Sequence, residues 1–471
     1  MPSGFVLNPN RYFDPDPEIR GIASWLYEGV KDLPYVCPHG HVDPRLFSRN
    51  EAFSDPTELI LIPDHYIFRL LYSQGIRMES LGIPTLDGTA VEKDHRKIWQ
   101  IFADNIHLYA GTPTGNWLAH EFSESFGMSQ PLTPLNAMDF YEELSDKLKL
   151  PENYPRAMFE RFNIEVLNTT DAAYDSLEAH QMIKDSGWNG RIVPCFRPDD
   201  VLDLGFADWK LNIDKLSSAS GIEVDSYSKF ISALENRREF FKSKGAVSTD
   251  HAVIDPYTER LSPEFAGQLF QKALLGEADA QDTQVFMAHM LTEMARMSIE
   301  DGLTMQLHAG SFRNHNQHIF ERFGRDKGCD IPVQTEFTIN LRNLLNLYGN
   351  DNRLSLVVFT LDETNYAREL APLAGHYPAM KLGPTWWFHD SIQGMNRYRE
   401  QVTETASIYN TVGFNDDTRA FPSIPARHDL SRRVDSNFLA KQVAFHLIDL
   451  DQAKIMSKAL ARDLVKSAYG L

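Results

Sequence analysis

The chain has 471 residues, enough for roughly two to four average domains or for one large barrel with insertions. Its 65 Asp and Glu outnumber its 46 Lys and Arg, and the formal net charge is −19, with no run of five or six basic residues. This composition argues against nucleic acid as a partner. The hydrophobic share of 42% is typical of a packed, soluble globular protein.

The three cysteines, Cys37, Cys195 and Cys329, are too few and too scattered for a disulfide framework. Residues 1–20 lack the basic start and apolar core of a signal peptide. No apolar run approaches the roughly 18 residues that a membrane helix needs. We therefore expect a cytoplasmic protein in a reducing compartment, with no membrane association.

Helical and strand patterns alternate along the chain. An amphipathic helix is predicted over 17–31, where it would cap the base of the fold. Eight short apolar, β-branched stretches are predicted as strands: 35–39, 165–168, 191–196, 245–248, 303–308, 354–359, 379–382 and 411–414. Helical periodicity between them is clearest over 174–184, 225–244, 282–300, 336–347 and 365–374. This alternation predicts an α/β fold, a distorted (β/α)8 barrel with catalytic groups at the carboxyl ends of its strands.

Residues 42–163, between the first and second strands, are largely helical in pattern and far too long for a βα loop. We expect a large helical insertion near the active-site mouth. The chain would then divide into residues 1–41, with the N-terminal helix and the first strand, the insertion over 42–163, and residues 164–471, with the rest of the barrel and the C-terminal helices.

The first strand ends in His39-Gly40-His41. Residues i and i+2 of a strand point to the same side, so both imidazoles would face the barrel axis and could chelate a divalent metal. The alternative is two unrelated loop histidines. The position of this motif, with Val42-Asp43-Pro44 after it, resembles the opening signature of the amidohydrolase superfamily.

Polar residues also follow the fifth and eighth strands. His308 closes the fifth strand, and Arg313 lies in the loop after it, where its guanidinium could grip a carboxylate. Asp416, Asp417 and Arg419 follow the eighth strand. A carboxylate there could complete a His, His, Asp metal site or accept a proton. The alternatives are a satisfied core histidine and an ordinary Asn-Asp-Asp turn.

An ordered set of motifs spanning nearly the whole chain resembles the uronate isomerases (glucuronate isomerases), a divergent branch of the amidohydrolase superfamily. The motifs are His39-Gly40-His41, Asp64-His65-Tyr66, Thr169-Thr170-Asp171, Asp175-Ser176-Leu177 with His180, Val193 to Asp199, Ser248-Thr249-Asp250-His251, His308 to Asn316, Trp386-Trp387-Phe388 with Asp390, Asp417-Thr418-Arg419, Arg427-His428-Asp429 and Arg432-Arg433. Each motif alone is weak, but the ordered set is specific.

The resemblance implies a ketol isomerase that interconverts D-glucuronate with D-fructuronate, and usually D-galacturonate with D-tagaturonate. It implies one divalent cation, most often Zn²⁺, on His39, His41 and Asp417. It also implies a pocket for a small uronic acid lined by Tyr66, Arg197, Asp250, His308, Arg313, Trp387 and Arg419.

Isomerisation through an enediol needs a base at C2, stabilisation of an oxyanion and a proton shuttle. We expect Asp417, coupled to Tyr66, to move the proton, and we include His308 among the catalytic residues. Arg197, Arg313 and Arg419 would supply cationic groups for the carboxylate.

Several alternatives stay open in the sequence. The predicted fourth-strand region holds no lysine that could bridge two metals, so a single ion is expected, with either Asp416 or Asp417 as its ligand. Cys37 is expected to be a buried core residue. The rival functions are a metal-dependent amidohydrolase or lactonase acting on a small acidic substrate, and an inactive barrel that binds sugar acids. A homo-oligomer is possible, but the sequence fixes no subunit number.

Overall fold

The computed structural model describes residues 6–471. Residues 1–5, the start of the segment considered as a signal peptide, lie outside the described residues. Seven parallel strands, labelled β1 to β7, are Tyr35–Cys37, Ile164–Asn168 with Asp171–Ala172, Ile192–Val193 with Phe196–Arg197, Ser248–Val253, Thr304–Ala309, Leu356–Thr360 and Met380–Leu382. Each strand pairs with the next one along the chain.

The eighth barrel position is a single parallel bridge from Thr411 to Leu382. The barrel continues from this position to the first strand, because the backbone N–H of His41 donates to the carbonyl of Thr418 at 2.9 Å. The consecutive strand order confirms the predicted (β/α)8 barrel. The predicted strand over 411–414 was wrong in extent, since Gly413 has a φ of 73° and interrupts the extended backbone.

Two other strand boundaries differ from the prediction. The first strand ends at Cys37 instead of His39, because Pro38 has no N–H with which to continue the ladder. The fourth begins at Ser248, where the prediction over 245–248 ended, and it runs to Val253. Its first four residues are polar and buried, so an apolar pattern could not identify them. Asp250 therefore lies within the strand.

Within residues 6–471, twenty α-helices, labelled α1 to α20, connect and cover the strands. They are Pro17–Glu28, Arg45–Arg49, His65–Ser73, His95–Asp104, Pro113–His120, Ala137–Leu148, Pro155–Arg161, Glu178–Asp185, Asp199–Leu202, Trp209–Ser220, Tyr227–Ser243, Pro263–Leu275, Ala280–Asp301, Gln317–Phe323, Arg342–Tyr348, Ala371–Ala374, Ile392–Ala406, Ile424–Ala444, Leu450–Lys458 and Leu464–Tyr469. Shorter π and 3-10 turns extend several of them.

The predicted helices are present, with changed ends. Helix α1 starts where the Asp16 carboxylate accepts the N–H groups of Glu18 and Ile19, and it ends at Glu28, three residues before the predicted end. The helix predicted over 336–347 starts only at Arg342. The backbone N–H of Phe337 is instead bonded to a Glu369 carboxylate oxygen. Helix α1 packs on α18 and α19, next to the C-terminal part of the chain.

Helices α2 to α7 form the insertion. Its aromatic core, which includes Trp99, Phe102 and Phe140, belongs to one buried apolar cluster with Leu167 of β2. The insertion is therefore packed onto the barrel, and the division of the chain at residues 41 and 163 stays a prediction. Among residues 6–471, every helix is too short or too polar to cross a lipid bilayer.

Candidate active site

A cavity of about 740 Å³ opens at the carboxyl ends of the strands. Seven of the predicted site residues line it: His41, Tyr66, Arg197, Arg313, Trp387, Asp417 and Arg419. The other three, His39, Asp250 and His308, are buried and contact the lining residues. The fold thus brings all ten predicted residues to one region of the molecule.

Two imidazoles converge on one carboxylate oxygen. Nε2 of His39 lies 3.4 Å and Nε2 of His41 lies 3.3 Å from Oδ1 of Asp417. Asp417 has a left-handed backbone with φ 38°, which is costly for a residue with a side chain and is common at functional sites. The His-Gly-His turn is fixed by the Thr170 hydroxyl, which donates to the carbonyl of Gly40 at 2.8 Å.

The same group of side chains could hold a metal ion. Ligand atoms of His39, His308 and Asp417 all lie within 4.8 Å of one another. Nε2 of His308 and Oδ1 of Asp417 are buried and, among the described residues, have no hydrogen-bond partner. Imidazole nitrogens with a carboxylate oxygen are a donor set that suits zinc and related divalent ions. The residues present therefore fit one divalent cation.

The second aspartate, Asp416, faces away from this group. Its Oδ2 lies 4.0 Å from Nε2 of His428, and Sγ of Cys37 lies 3.7 Å from the same nitrogen. Cys37 is buried, as expected for a core residue. The geometry favours Asp417 over Asp416 as the ligand.

Burial and charge set the protonation of these groups. Burial alone would raise the pKa of Asp417, but the neighbouring His39 and His41 hold it well below its usual value. Burial lowers the pKa of His41 to about 4. At neutral pH the aspartate is ionised and His41 is neutral, which are the forms that ligate metals. Burial would lower the pKa of His39, but Asp250 and Asp417 raise it well above its usual value, so this ring would lose a proton when an ion binds.

Asp250 connects His308 to Arg197. Its Oδ1 lies 2.7 Å from Nδ1 of His308, and its Oδ2 lies 3.3 Å from Nη1 of Arg197. Burial would raise the pKa of Asp250, but the charge of Arg197 and the hydrogen bond from His308 hold it well below its usual value. Arg197 also bonds through Nε to Asp199 at 2.7 Å. Two carboxylates thus fix the Arg197 guanidinium at the cavity wall.

Tyr66 lies in the first turn of α3, whose N-cap Asp64 accepts the Tyr66 backbone N–H at 2.8 Å. The buried guanidinium of Arg427 lies 5.1 Å from the Tyr66 ring centre and 3.7 Å from that of Trp117. The Nη1 atom of Arg427 donates to Asp390 at 2.7 Å. From the sequence alone, Arg427 was named only within a family motif and was given no role.

Arg313 and Arg419 each carry a carboxylate partner that the sequence analysis missed. Nη2 of Arg419 lies 3.1 Å from Oδ2 of Asp326, and Nη1 of Arg313 lies 3.1 Å from Oδ2 of Asp330. Both aspartates belong to the loop after β5 and line the cavity. No local sequence pattern distinguishes them from ordinary loop residues.

Trp387 forms part of the aromatic wall. Its ring is stacked on Phe388 at a centroid distance of 4.5 Å and meets Tyr66 edge to face at 6.2 Å. The preceding Trp386 lies 4.8 Å from the His308 ring. Such a wall can pack against the C–H surface of a sugar.

A (β/α)8 barrel with a His-x-His motif after the first strand and an aspartate after the eighth position defines the amidohydrolase type. Solved structures agree with this class. A glucuronate isomerase from Caulobacter crescentus is 48% identical with a TM-score of 0.97, and the alignment covers 99% of this chain and 97% of that one. A uronate isomerase from Thermotoga maritima is 27% identical with a TM-score of 0.91, over 98% and 99% of the two chains.

Sequence comparisons identify the family. The family model described as glucuronate isomerase matches residues 19–467. Proteins named uronate isomerase are 51% identical over 466 residues in Mesorhizobium japonicum and 53% identical over 467 residues in Nostoc punctiforme. The alignments cover 99% of this chain in both cases, and 99% and 98% of the relatives. The chain belongs to the glucuronate isomerase family and is an aldose-ketose isomerase.

Proposed function

We propose that this isomerase interconverts D-glucuronate and D-fructuronate in the cavity at the strand ends, and D-galacturonate and D-tagaturonate in the same way. The observation that carries the proposal is the convergence of two imidazoles on the Asp417 carboxylate in a cavity whose lining includes Arg197, Arg313 and Arg419. A uronate has an aldehyde at one end and a carboxylate at the other, so it needs acid-base groups and cationic groups in one site.

We propose that His39, His41 and Asp417 hold one divalent ion, with Zn²⁺ as the expected metal. The unpartnered Nε2 of His308 lies close enough to act as a further ligand or to face the substrate. When bound, the ion would act as a Lewis acid toward a substrate oxygen. The preference for zinc rests on the donor set and on the family resemblance.

The substrate carboxylate is assigned to the guanidinium groups of the cavity wall. Arg313 and Arg419 line the cavity and are partly exposed, with side-chain exposures of 38% and 36%. Arg197 is held rigidly by Asp250 and Asp199 and presents its remaining N–H groups. Trp387 would pack against the sugar carbons, and Asp250 acts by holding Arg197 and His308.

Proton transfer from C2 to C1 is assigned to Asp417, Tyr66 and His308. Asp417 is ionised and can accept a proton. Burial raises the pKa of Tyr66 well above its usual value, so the phenol keeps its proton and can donate a hydrogen bond to a substrate oxygen. The bond between Nδ1 of His308 and Asp250 leaves Nε2 as the acceptor in the neutral ring.

The test is incubation with D-glucuronate or D-galacturonate in D₂O, followed by proton NMR. An isomerase produces ketose signals and exchanges the transferred proton with solvent. A metal-dependent amidohydrolase or lactonase, the alternative function, would leave either sugar unchanged, as would an inactive binding protein. Asp417→Asn should abolish the exchange, and persistent exchange would assign the base to another group.

We also propose a cytoplasmic location. All three cysteines are free, and two of them, Cys37 and Cys195, are buried, which suits a reducing compartment. Assembly into a homo-oligomer stays a prediction without a defined subunit number, and size-exclusion chromatography with light scattering would measure it.

A further inference from the structure

In the cavity, a carboxylate of the protein itself is paired with an arginine that we propose binds the substrate carboxylate. Oδ2 of Asp326 lies 3.1 Å from Nη2 of Arg419 within the cavity. We infer that Asp326 is an internal competitor for the substrate carboxylate, which must displace it from Arg419 before the uronate is fully bound. The inference rests on the proposed function, in which Arg419 binds that carboxylate.

The charges around Asp326 are those that an anionic ligand would meet. Partial burial would raise the pKa of Asp326, but the charge of Arg419, with a smaller contribution from Arg313, holds it below its usual value. Asp326 is therefore an anion at neutral pH, in a position where the field of the site favours negative charge. A substrate carboxylate brought to the same guanidinium would meet the same charges.

Among the described residues, Arg419 and Asp326 form an ion pair with each other and with no other charged side chain. Both side chains are partly exposed, at 36% for Arg419 and 48% for Asp326, so the pair can separate without uncovering a buried charge. A ligand anion can therefore exchange with the aspartate at small cost.

The chain is held on both sides of Asp326. Before it, the backbone N–H of Leu86 donates to the carbonyl of Arg322 at 2.8 Å, and the Arg322 side chain pairs with Glu79 at 2.6 Å. Ser311–Phe312 pairs with Ile331–Pro332 in a short antiparallel ladder. Close to this ladder, the backbone N–H of His315 donates to the carbonyl of Cys329 at 2.9 Å. Asp326 lies between these bonded segments with a left-handed φ of 59°. Its side chain can therefore leave Arg419 by rotating while the backbone on both sides keeps its bonds.

The direction of the mutational effect separates this role from an alternative. If Asp326 competes with the substrate, removing its charge strengthens the binding of carboxylate ligands. If it only orients Arg419, the same change weakens binding. Asp326→Asn is nearly isosteric, and asparagine tolerates the left-handed backbone. Asp326→Gly also suits this backbone and serves as a second variant.

The experiment measures ligand binding to the metal-loaded enzyme by calorimetry. The probe is L-gulonate, which keeps the carboxylate of D-glucuronate but has an alcohol in place of the aldehyde and cannot isomerise. Its neutral counterpart is D-glucitol. For a partly exposed ion pair we expect L-gulonate to bind Asp326→Asn about two- to fivefold more tightly, with D-glucitol unchanged. The KM for D-glucuronate should fall in parallel.

Asp203→Asn is the matched control, because Asp203 lines the same cavity and accepts a bond from the Gly205 backbone N–H instead of an arginine. Equal or weaker L-gulonate binding by both Asp326 variants would overturn the inference. Equal tightening in Asp203→Asn would also overturn it, as a general charge effect. Turnover of D-glucuronate by the wild type is measured separately, and its absence would refute the proposed function and the inference together.

Discussion

The imidazole of His308 and the carboxylate of Asp250 form a buried pair, with Nδ1 of the ring 2.7 Å from Oδ1. The two residues come from neighbouring strands, β4 and β5, and both side chains are at most 3% exposed. This bond assigns the proton of the neutral ring to Nδ1. The lone pair of Nε2 is then not engaged by Asp250 and can accept a hydrogen bond. The orientation of His308, which we propose faces the metal and the substrate, is thus set by a residue that the solvent does not reach.

Asp250→Asn should therefore lower kcat by at least about tenfold, the scale found when an outer partner of a functional histidine is lost. The amide removes the charge that favours this ring orientation. Asp199→Asn is the control, since Asp199 shares Arg197 with Asp250 but does not contact His308. Steady-state kinetics should show a loss of kcat for the first variant and mainly a change in KM for the second. Matching losses of kcat would refute the role of the pair.

The metal assignment predicts the behaviour of His39→Ala. Loss of a direct ligand should weaken metal binding at least as much as loss of an outer partner, by about tenfold or more. Elemental analysis of the purified protein after dialysis measures the metal content per chain. His315→Ala is the control, because His315 is exposed in the loop after β5. Unchanged stoichiometry in His39→Ala would place the ion elsewhere.

Arg427 is predicted to position Tyr66. Its guanidinium lies over the Tyr66 ring and bonds to Asp390, so Arg427→Lys keeps the charge but loses the planar stacking. We expect kcat to fall while the KM for D-glucuronate changes little, because the variant leaves the cavity arginines in place. Thermal stability should fall as well, since lysine cannot reproduce the guanidinium's bond to Asp390 together with its stacking on Trp117.

The matched control for this variant lies in the same helix. Arg433 pairs with Asp429 at 3.0 Å and stacks over the ring of Tyr27 at 4.0 Å. Neither partner lines the cavity. Arg433→Lys should therefore lower the melting temperature without the loss of kcat. An equal loss of kcat in both variants would indicate a purely structural role for Arg427.

The sequence predicted candidate site residues that lie at the end of a strand or just after it. His41, His308 and Asp417 lie where a barrel places functional groups, so the order of the strands brings them together. Asp326 and Arg427 could not be found in this way. Their roles arise from contacts between segments far apart in the chain, Arg419 with the β5 loop and α18 with the insertion. Such contacts leave no periodic pattern in the sequence.

The errors in the strand predictions have a related physical cause. An apolar, β-branched pattern identifies strands that face an apolar core. The fourth strand begins Ser248-Thr249-Asp250-His251, and all four side chains are buried in the polar interior of the barrel. The apolar pattern is missing because this strand contributes polar side chains to the candidate site. There Asp250 is bonded to His308 and paired with Arg197.

The buried carboxyl of Glu121 allows a test of how burial changes a pKa and the stability of the fold, at a residue that is not a proposed metal ligand. It lies in the insertion, 4% exposed, and burial, reinforced by the nearby Asp64, raises its pKa to about 8. The folded protein therefore holds a proton that the unfolded chain releases near pH 4.3. Between these values, stability falls as the pH rises, because the unfolded state binds fewer protons than the folded state. The stabilising effect is complete below the unfolded pKa and is lost as the pH passes about 8.

Glu121→Gln should remove this dependence, since the amide keeps the shape of the protonated acid and cannot ionise. We expect the variant to match the wild type near pH 5 and to melt at a higher temperature at pH 8, with up to about 1.4 kcal/mol gained per pH unit in between. Differential scanning fluorimetry across this range measures the effect. Glu124→Gln, at an exposed position three residues further on, should follow the wild-type curve. Parallel curves for Glu121→Gln and the wild type would mean that Glu121 is ionised in the folded protein at neutral pH, and that the insertion supplies it with a compensating charge.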